Sequence, residues 1–187
     1  LPADTAWLEG GKPGATRARP SLRQPDTITI DVAAAAVKSA SKPIIIINGT
    51  ALTEAGLAQA ARVKAAGVRV LTDTFFPRQA RGAGRFIPDR MQYFAEGAMS
   101  DLEGSDLMLI AGTQVPVAFF AYPGKKSYLV PDTCQVHTLA APDQDMFLTR
   151  GESHSLFQKL LDPAKTEGMK FYNNPLYLNF LQGKRDY

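Results

Sequence analysis

The sequence predicts an α/β fold, a doubly wound and mostly parallel sheet of about six strands. Two observations carry this. Ile44, Ile45, Ile46 and Ile47 form an unbroken β-branched run, which suits a strand covered on both faces rather than one with a wet side. Apolar strand-like runs then alternate with helix-forming stretches, the order that a parallel sheet needs for its crossovers.

Residues 1–25 hold Pro2, Pro13, Pro20 and Pro25 with Gly10, Gly11 and Gly14. Proline fixes φ and removes a donor, so this stretch reads as an irregular linker from a preceding domain, with Trp7 and Leu8 as anchors. Residues 26–142 read as the α/β domain. Asp31 to Ser41 is rich in alanine and predicts a helix, capped by Thr29 or Asp31 and closed before Pro43. Pro43 to Asn48 is the first strand, and Asn48-Gly49-Thr50 the turn after it. Thr53 to Ala66 predicts the next helix, with Thr53 as cap, Glu54 in the first turn and Gly67 as stop. Val68 to Thr72 completes a βαβ unit, whose crossover is right-handed almost without exception.

Residues 73–90 read as a long loop, Met91 to Leu102 as a helix and Asp106 to Gly112 as a third strand. Ser127 to Val130 and Cys134 to Leu139 are the fourth and fifth strand candidates. The pattern is Rossmann-like. Residues 143–187 form an aromatic tail with Phe147, Phe157, Phe171, Tyr172, Tyr177, Phe180 and Tyr187. Its expected helix is Glu152 to Leu161, its turn Asn173-Asn174-Pro175, and Leu176 to Leu181 a further helical turn or two. It looks like a segment that packs on another surface.

Composition narrows the function classes. The chain has 187 residues, 45% hydrophobic, 21% charged and 9% aromatic, which excludes a collagen, a low-complexity filament and a chain too polar to collapse. Its single cysteine, Cys134, excludes an internal disulfide and a cysteine-built zinc or iron–sulfur site. Two histidines, His137 and His154, leave little for a histidine metal site. The Ile44–Ile47 run is far short of the ~20 residues of a spanning helix, so no membrane is expected. The first residue, Leu1, leads to the expectation of a piece of a longer product. No secretory pattern follows it, and a cytoplasmic location is expected.

Net charge is +3. Between positions 62 and 90, seven basic residues (Arg62, Lys64, Arg69, Arg78, Arg81, Arg85, Arg90) stand against Asp73 and Asp89, a local +5. Arg78, Arg81 and Arg85 alternate with Gly82 and Gly84, so the loop can fold closely and present guanidinium forks to a diphosphate, a coenzyme A tail or a carboxylate, or stand as a solvated loop at a subunit contact. No nucleic-acid partner is expected, because Phe75 and Phe76 read as core anchors rather than stacking platforms.

Ligands of open α/β sheets bind beyond the carboxyl ends of the strands, near the reversal of strand order. Three loops qualify: Asn48-Gly49-Thr50, Thr72-Asp73-Thr74 and Gly112-Thr113-Gln114. Their backbone donors and hydroxyls suit phosphate or ribose. They equally suit plain connections, since neither G-x-G-x-x-G after the first strand nor a P-loop is present. The candidate cofactor-binding residues are Gly49, Thr50, Asp73, Arg78, Arg81, Gly112 and Thr113. No catalytic or metal-ligating residue is assigned. Cys134 and His137, three apart on an extended strand, fall on opposite faces and make no catalytic pair.

The order Lys42-Pro-Ile-Ile-Ile-Ile-Asn-Gly49, Gly67-Val-Arg-Val-Leu-Thr-Asp-Thr74 and Gly104-Ser-Asp-Leu-Met-Leu-Ile-Ala-Gly112 resembles the central domain of thiamine-diphosphate-dependent enzymes of the acetolactate synthase and benzoylformate decarboxylase kind. The resemblance covers about residues 1–142, and Leu1 to Trp7 is similar to the close of the family's first domain, where a strand delivers the chain into the linker. It implies three α/β domains in the parent enzyme. There the first supplies a glutamate to the cofactor's pyrimidine, and the third a Gly-Asp-Gly followed by Asn-Asn to hold magnesium and diphosphate. This sequence has no Gly-Asp-Gly, so Asn173-Asn174 carries no such role, and the tail from Asp143 departs from the family's exit into its third domain.

The resemblance therefore implies a middle, non-catalytic domain, inactive alone, whose parent binds thiamine diphosphate and magnesium outside this chain. It further implies FAD or ADP as a possible structural ligand, small 2-oxo acids as substrates, and homo-oligomers. Two alternatives stay open: a stand-alone nucleotide- or CoA-binding module, and an interaction domain that docks through its aromatic tail.

Overall fold

The structure is a computed structural model and describes residues 3–9, 12, 14–18, 21–121 and 123–145. The tail elements expected beyond residue 145, with His154 and Asn173-Asn174, lie outside the described residues. Helix α1 is a single turn, Ala3–Ala6, where a strand was expected from the resemblance. Trp7 and Leu8 are 88% and 72% exposed, so neither anchors the linker on the described residues.

Helix α2, Thr27–Ser39, starts earlier than the expected Asp31. Asp26 itself is extended, and its carboxylate accepts from the Ile28 N–H at 2.9 Å and caps the helix. Ile30, Ala33 and Val37, one helical face, are buried.

Strand β1, Pro43–Ile47, is buried throughout. Its alternation is between two cores rather than between core and water. Ile45 and Ile47 join Ile30, Val37, Leu57 and Val63 on the face covered by α2 and α3, α3 being Glu54–Ala65. Ile44 and Ile46 join Leu71, Met108, Leu102 and Leu129 on the other face. That double cover is why the run is apolar without interruption. A short 3-10 turn, Gly49–Leu52, leads into α3. Thr53 caps α3 through the Gly56 N–H at 3.3 Å. Gly56 must be glycine for packing, since a Cβ there would lie 2.3 Å from the Ala51 carbonyl oxygen.

The remaining strands are β2 (Arg69–Thr72), β3 (Asp89–Arg90), β4 (Leu107–Ala111) and β5 (Gln135–Ala140). They form a five-stranded sheet in the order β3-β2-β1-β4-β5, and every pairing is parallel. The order reverses between β1 and β4. Helix α3, in the connection from β1 to β2, shares one face of the sheet with α2, which precedes β1, and α4, Ala95–Leu102, in the connection from β3 to β4, lies on the other. The doubly wound α/β fold is thus the observed one.

Three details differ from the expectation. The loop over 73–90 ends in β3, a strand too short to show an apolar pattern and with both residues exposed. Helix α4 begins at Ala95, not Met91. Ser127–Val130 is not a sheet strand. Instead, the Leu129 N–H donates to the Pro116 carbonyl at 3.2 Å and the Ala118 N–H to the Ser127 carbonyl at 2.7 Å, around an antiparallel bridge between Val117 and Tyr128. Pro116 and Pro131 have no N–H to extend that ladder. Leu129 and Val130 are apolar because they plug the α4-side core.

Beyond β5, Arg23 bridges Gln144 in parallel, and its guanidinium meets the Asp143 carboxylate at 2.6 Å. The chain before α2 is thereby tied to the residues that follow β5.

Candidate functional site

The carboxyl ends of β2, β1 and β4 lie side by side, and their loops meet there. Asn48 ends β1. Its side-chain oxygen accepts from the Gly49 N–H at 2.7 Å, and its amide donates to the Phe75 carbonyl at 2.8 Å. One side chain therefore holds the β1 and β2 loops together. Gly49 and Gly112 have φ of 60° and 74°, the left-handed region that favours glycine. They also approach each other: a Cβ on Gly49 would lie 3.8 Å from the Gly112 carbonyl oxygen. The Gly112 N–H reaches the Ala140 carbonyl at 2.8 Å, which fastens the β4 loop to the end of β5.

Asp73 follows β2 and Thr113 follows β4. The Thr113 hydroxyl, on a buried residue, donates to the Asp73 carboxylate across β1. The other carboxylate oxygen accepts from the Phe75 N–H at 3.4 Å. Thr74 is buried and donates to the Met91 and Gln92 carbonyls at 3.2 and 3.1 Å. Arg90 caps the Thr74 carbonyl through Nε at 2.8 Å, with its guanidinium 5.2 Å from the Phe76 ring centre.

Next to Asp73 a cleft of about 190 Å³ opens on the α4 side of the sheet, lined among others by Phe75, Gln92, Tyr93, Gln114 and Phe119. Phe75 is half exposed here, not a core anchor; Phe76 fills that part, packed on the α2/α3 core.

The arginine loop takes the opposite face. Ala80 and Phe86 pack beside α3, and the Ala80 N–H donates to the Leu52 carbonyl at 2.8 Å. Arg85 pairs with Glu54 at 2.8 Å and also donates to the Arg81 carbonyl. Arg81 reaches Gln79 at 3.5 Å. Arg78 and Arg81 are exposed and line no part of the cleft. The structure thus joins Asp73 with Thr113 and Gly49 with Gly112, places Thr50 in the turn after β1, and leaves Arg78 and Arg81 apart.

Among the described residues, no group of three or more His, Cys, Asp and Glu side chains is placed to hold a metal ion. Among the same residues, no helix is long and apolar enough to cross a membrane.

The chain is 41% identical over 143 residues to "Putative acetolactate synthase large subunit IlvX" of Mycobacterium tuberculosis strain H37Rv, a match over 76% of this chain and 27% of that protein. Over this stretch the chain resembles one part of an acetolactate synthase-like protein. It spans only about a quarter of the relative's length. No protein-family model matches the chain.

Two solved structures are similar to this chain in outline. A thiamine diphosphate-dependent 4-hydroxybenzoylformate decarboxylase of Rhodococcus jostii RHA1 shares 16% identity over 84% of this chain and 30% of that one, with a TM-score of 0.49. A benzoylformate decarboxylase of Polynucleobacter necessarius shares 14% over 85% and 30%, also at 0.49.

Tyr93 and Phe119 stand at the site without having been singled out for it, and Asn48 was expected there only as the first residue of its loop. Asn48 had a signal, as the polar residue that ends an apolar strand at the reversal of strand order. Tyr93 and Phe119 had a weaker one, as members of the aromatic pairs Tyr93-Phe94 and Phe119-Phe120 after strands.

Proposed function

We propose that this chain is the central, non-catalytic segment of a thiamine-diphosphate-dependent enzyme that joins or cleaves carbon–carbon bonds in small 2-oxo acids. The supporting observation is the 41% identity to an acetolactate synthase-like protein confined to 27% of its length. Bound thiamine diphosphate supplies the chemistry of bond making and breaking beside a carbonyl. On this reading the residues that hold it and its magnesium belong to other parts of the enzyme. This chain contributes a rigid doubly wound sheet against which other domains or subunits pack, in a cytoplasmic homo-oligomer. Purified alone with thiamine diphosphate and magnesium, it is expected to leave pyruvate and benzoylformate unchanged. Turnover that scales with the concentration of this chain would refute the non-catalytic role.

The paired glycines support a second role within the first. Gly49 and Gly112 bring bare backbone together at the reversal of strand order, the place where open α/β sheets seat nucleotides. FAD or ADP would lie over these glycines and Thr50, and Arg78 and Arg81, which stand apart from them at rest, would have to swing in from the loop to reach its diphosphate. Calorimetry with each ligand tests this. Binding weakened about tenfold by Arg81→Ala, ~1.4 kcal/mol, supports it, and no heat from either ligand removes it.

A further inference from the structure

The cleft beside Asp73 carries a combination that the nucleotide seat does not use. Among its lining residues Asp73 alone is charged. Among the described residues its carboxylate meets only neutral donors, the Thr113 hydroxyl and the Phe75 N–H. Arg90, the cation next along the chain from the lining residues, spends its guanidinium on the Thr74 carbonyl and the Phe76 ring.

Against this carboxylate stand three rings in mutual contact. Phe75 and Phe119 are 5.2 Å apart between centres, Phe75 and Tyr93 5.7 Å, and Tyr93 and Phe119 5.4 Å. Their planes are inclined at 47°, 82° and 40°, so they do not stack flat. All three remain partly open to solvent, at 50%, 39% and 60% exposure for Phe75, Tyr93 and Phe119. Exposed clusters of this kind mark binding sites. An aromatic face is the negative pole of the ring quadrupole and attracts a cation held within about 6 Å of its centre. A phosphate would meet the carboxylate instead, with no cation in the lining to offset it.

The geometry points to a binding site for a small organic cation, a substituted ammonium headgroup held between the Asp73 carboxylate and the faces of Phe75, Tyr93 and Phe119. A cleft of about 190 Å³ suits a headgroup rather than a dinucleotide. The site is independent of the proposed place of the chain in a larger enzyme, since it draws on neither the paired glycines nor Arg78 and Arg81.

The test titrates the chain with choline chloride and with its uncharged carbon isostere 3,3-dimethylbutan-1-ol, at constant ionic strength, following the aromatic ring resonances. Choline is expected to bind saturably and the isostere about tenfold more weakly or worse. Asp73→Asn is expected to weaken choline by a similar factor. Phe119→Leu, at an exposed position, provides a second variant that leaves the Thr113 contact in place and is expected to weaken choline as well. Equal binding of the isostere, no saturable choline binding, or choline binding unmoved by both variants would overturn the site.

Discussion

The Thr113 hydroxyl donates to the Asp73 carboxylate and ties the end of β4 to the end of β2 over the top of β1. This one contact clamps the two loops that flank the central strand at the reversal of strand order. Thr113→Val keeps the shape and removes the donor. Hydrogen bonds to charged groups contribute about 1.5–3 kcal/mol, and partial exposure of Asp73 places the expected loss toward the lower end. Urea unfolding should register that loss, and Thr113→Ser should restore most of it. Equal stability of the valine variant would show that the clamp contributes nothing.

Gly49 should resist replacement through its backbone rather than through crowding. Its φ is 60°, while the nearest contact of an added Cβ, the Gly112 carbonyl oxygen, lies at an ordinary 3.8 Å. Gly49→Ala should therefore cost about 1–2 kcal/mol, the left-handed penalty, and Gly49→Asn less, since asparagine tolerates that region. Chemical denaturation of the two variants side by side checks the order.

Ile46 is fully buried on the α4 side of β1, opposite Leu71 and Ile110. Ile46→Ala removes volume from the central strand and should cost about 2–5 kcal/mol. Val32→Ala, on the exposed face of α2, should cost little. A cost for Val32→Ala as large as that for Ile46→Ala would mean that the sheet is not covered as described.

Asp106 introduces an acid sensitivity. Its carboxylate accepts the backbone N–H groups of Ser41 and Lys42 at 2.6 and 2.8 Å, and these bonds, Ser41's first, hold its pKa below the ordinary aspartate value. A carboxylate with a lowered folded-state pKa stabilises the fold fully above its unfolded pKa and loses that contribution as pH falls through the folded one. Stability should decline as the pH drops through the acidic range, and Asp106→Asn should flatten that decline. An unchanged acid unfolding profile in the asparagine variant contradicts the contact.

Cys134 should be a slow thiol. Burial, and then the charge of Asp106, push its pKa up, and the thiolate is the reactive form. Alkylation by iodoacetamide near neutral pH should run several-fold slower than for a free thiol, and Asp106→Asn should speed it modestly. A rate at or above that of the free thiol contradicts this.

Much of the fold was readable because it rests on strong local signals. The Ile44–Ile47 run announced a strand covered on both faces, and Thr53 with Gly67 bracketed α3. What stayed hidden was set by partners distant in sequence. Asp89 and Arg90 form a strand because β2 offers an open edge, not because two exposed polar residues prefer it. Leu129 and Val130 look like a strand and serve as a plug, because Pro116 and Pro131 withhold the donors a ladder needs. At the site, Asp73, Thr113, Gly49 and Gly112 could be named from their places after strands. The ring triad of Phe75, Tyr93 and Phe119 could not, since only the fold brings three loops together.

The proposed role requires this sequence to be one segment of a larger enzyme. The direct measurement is the intact mass of the natural gene product that contains it, taken from source cells. A product several times longer, with this sheet internal to it, is the predicted result. A mature product that ends with the sequence described here, and that turns over a 2-oxo acid with thiamine diphosphate unaided, would contradict it.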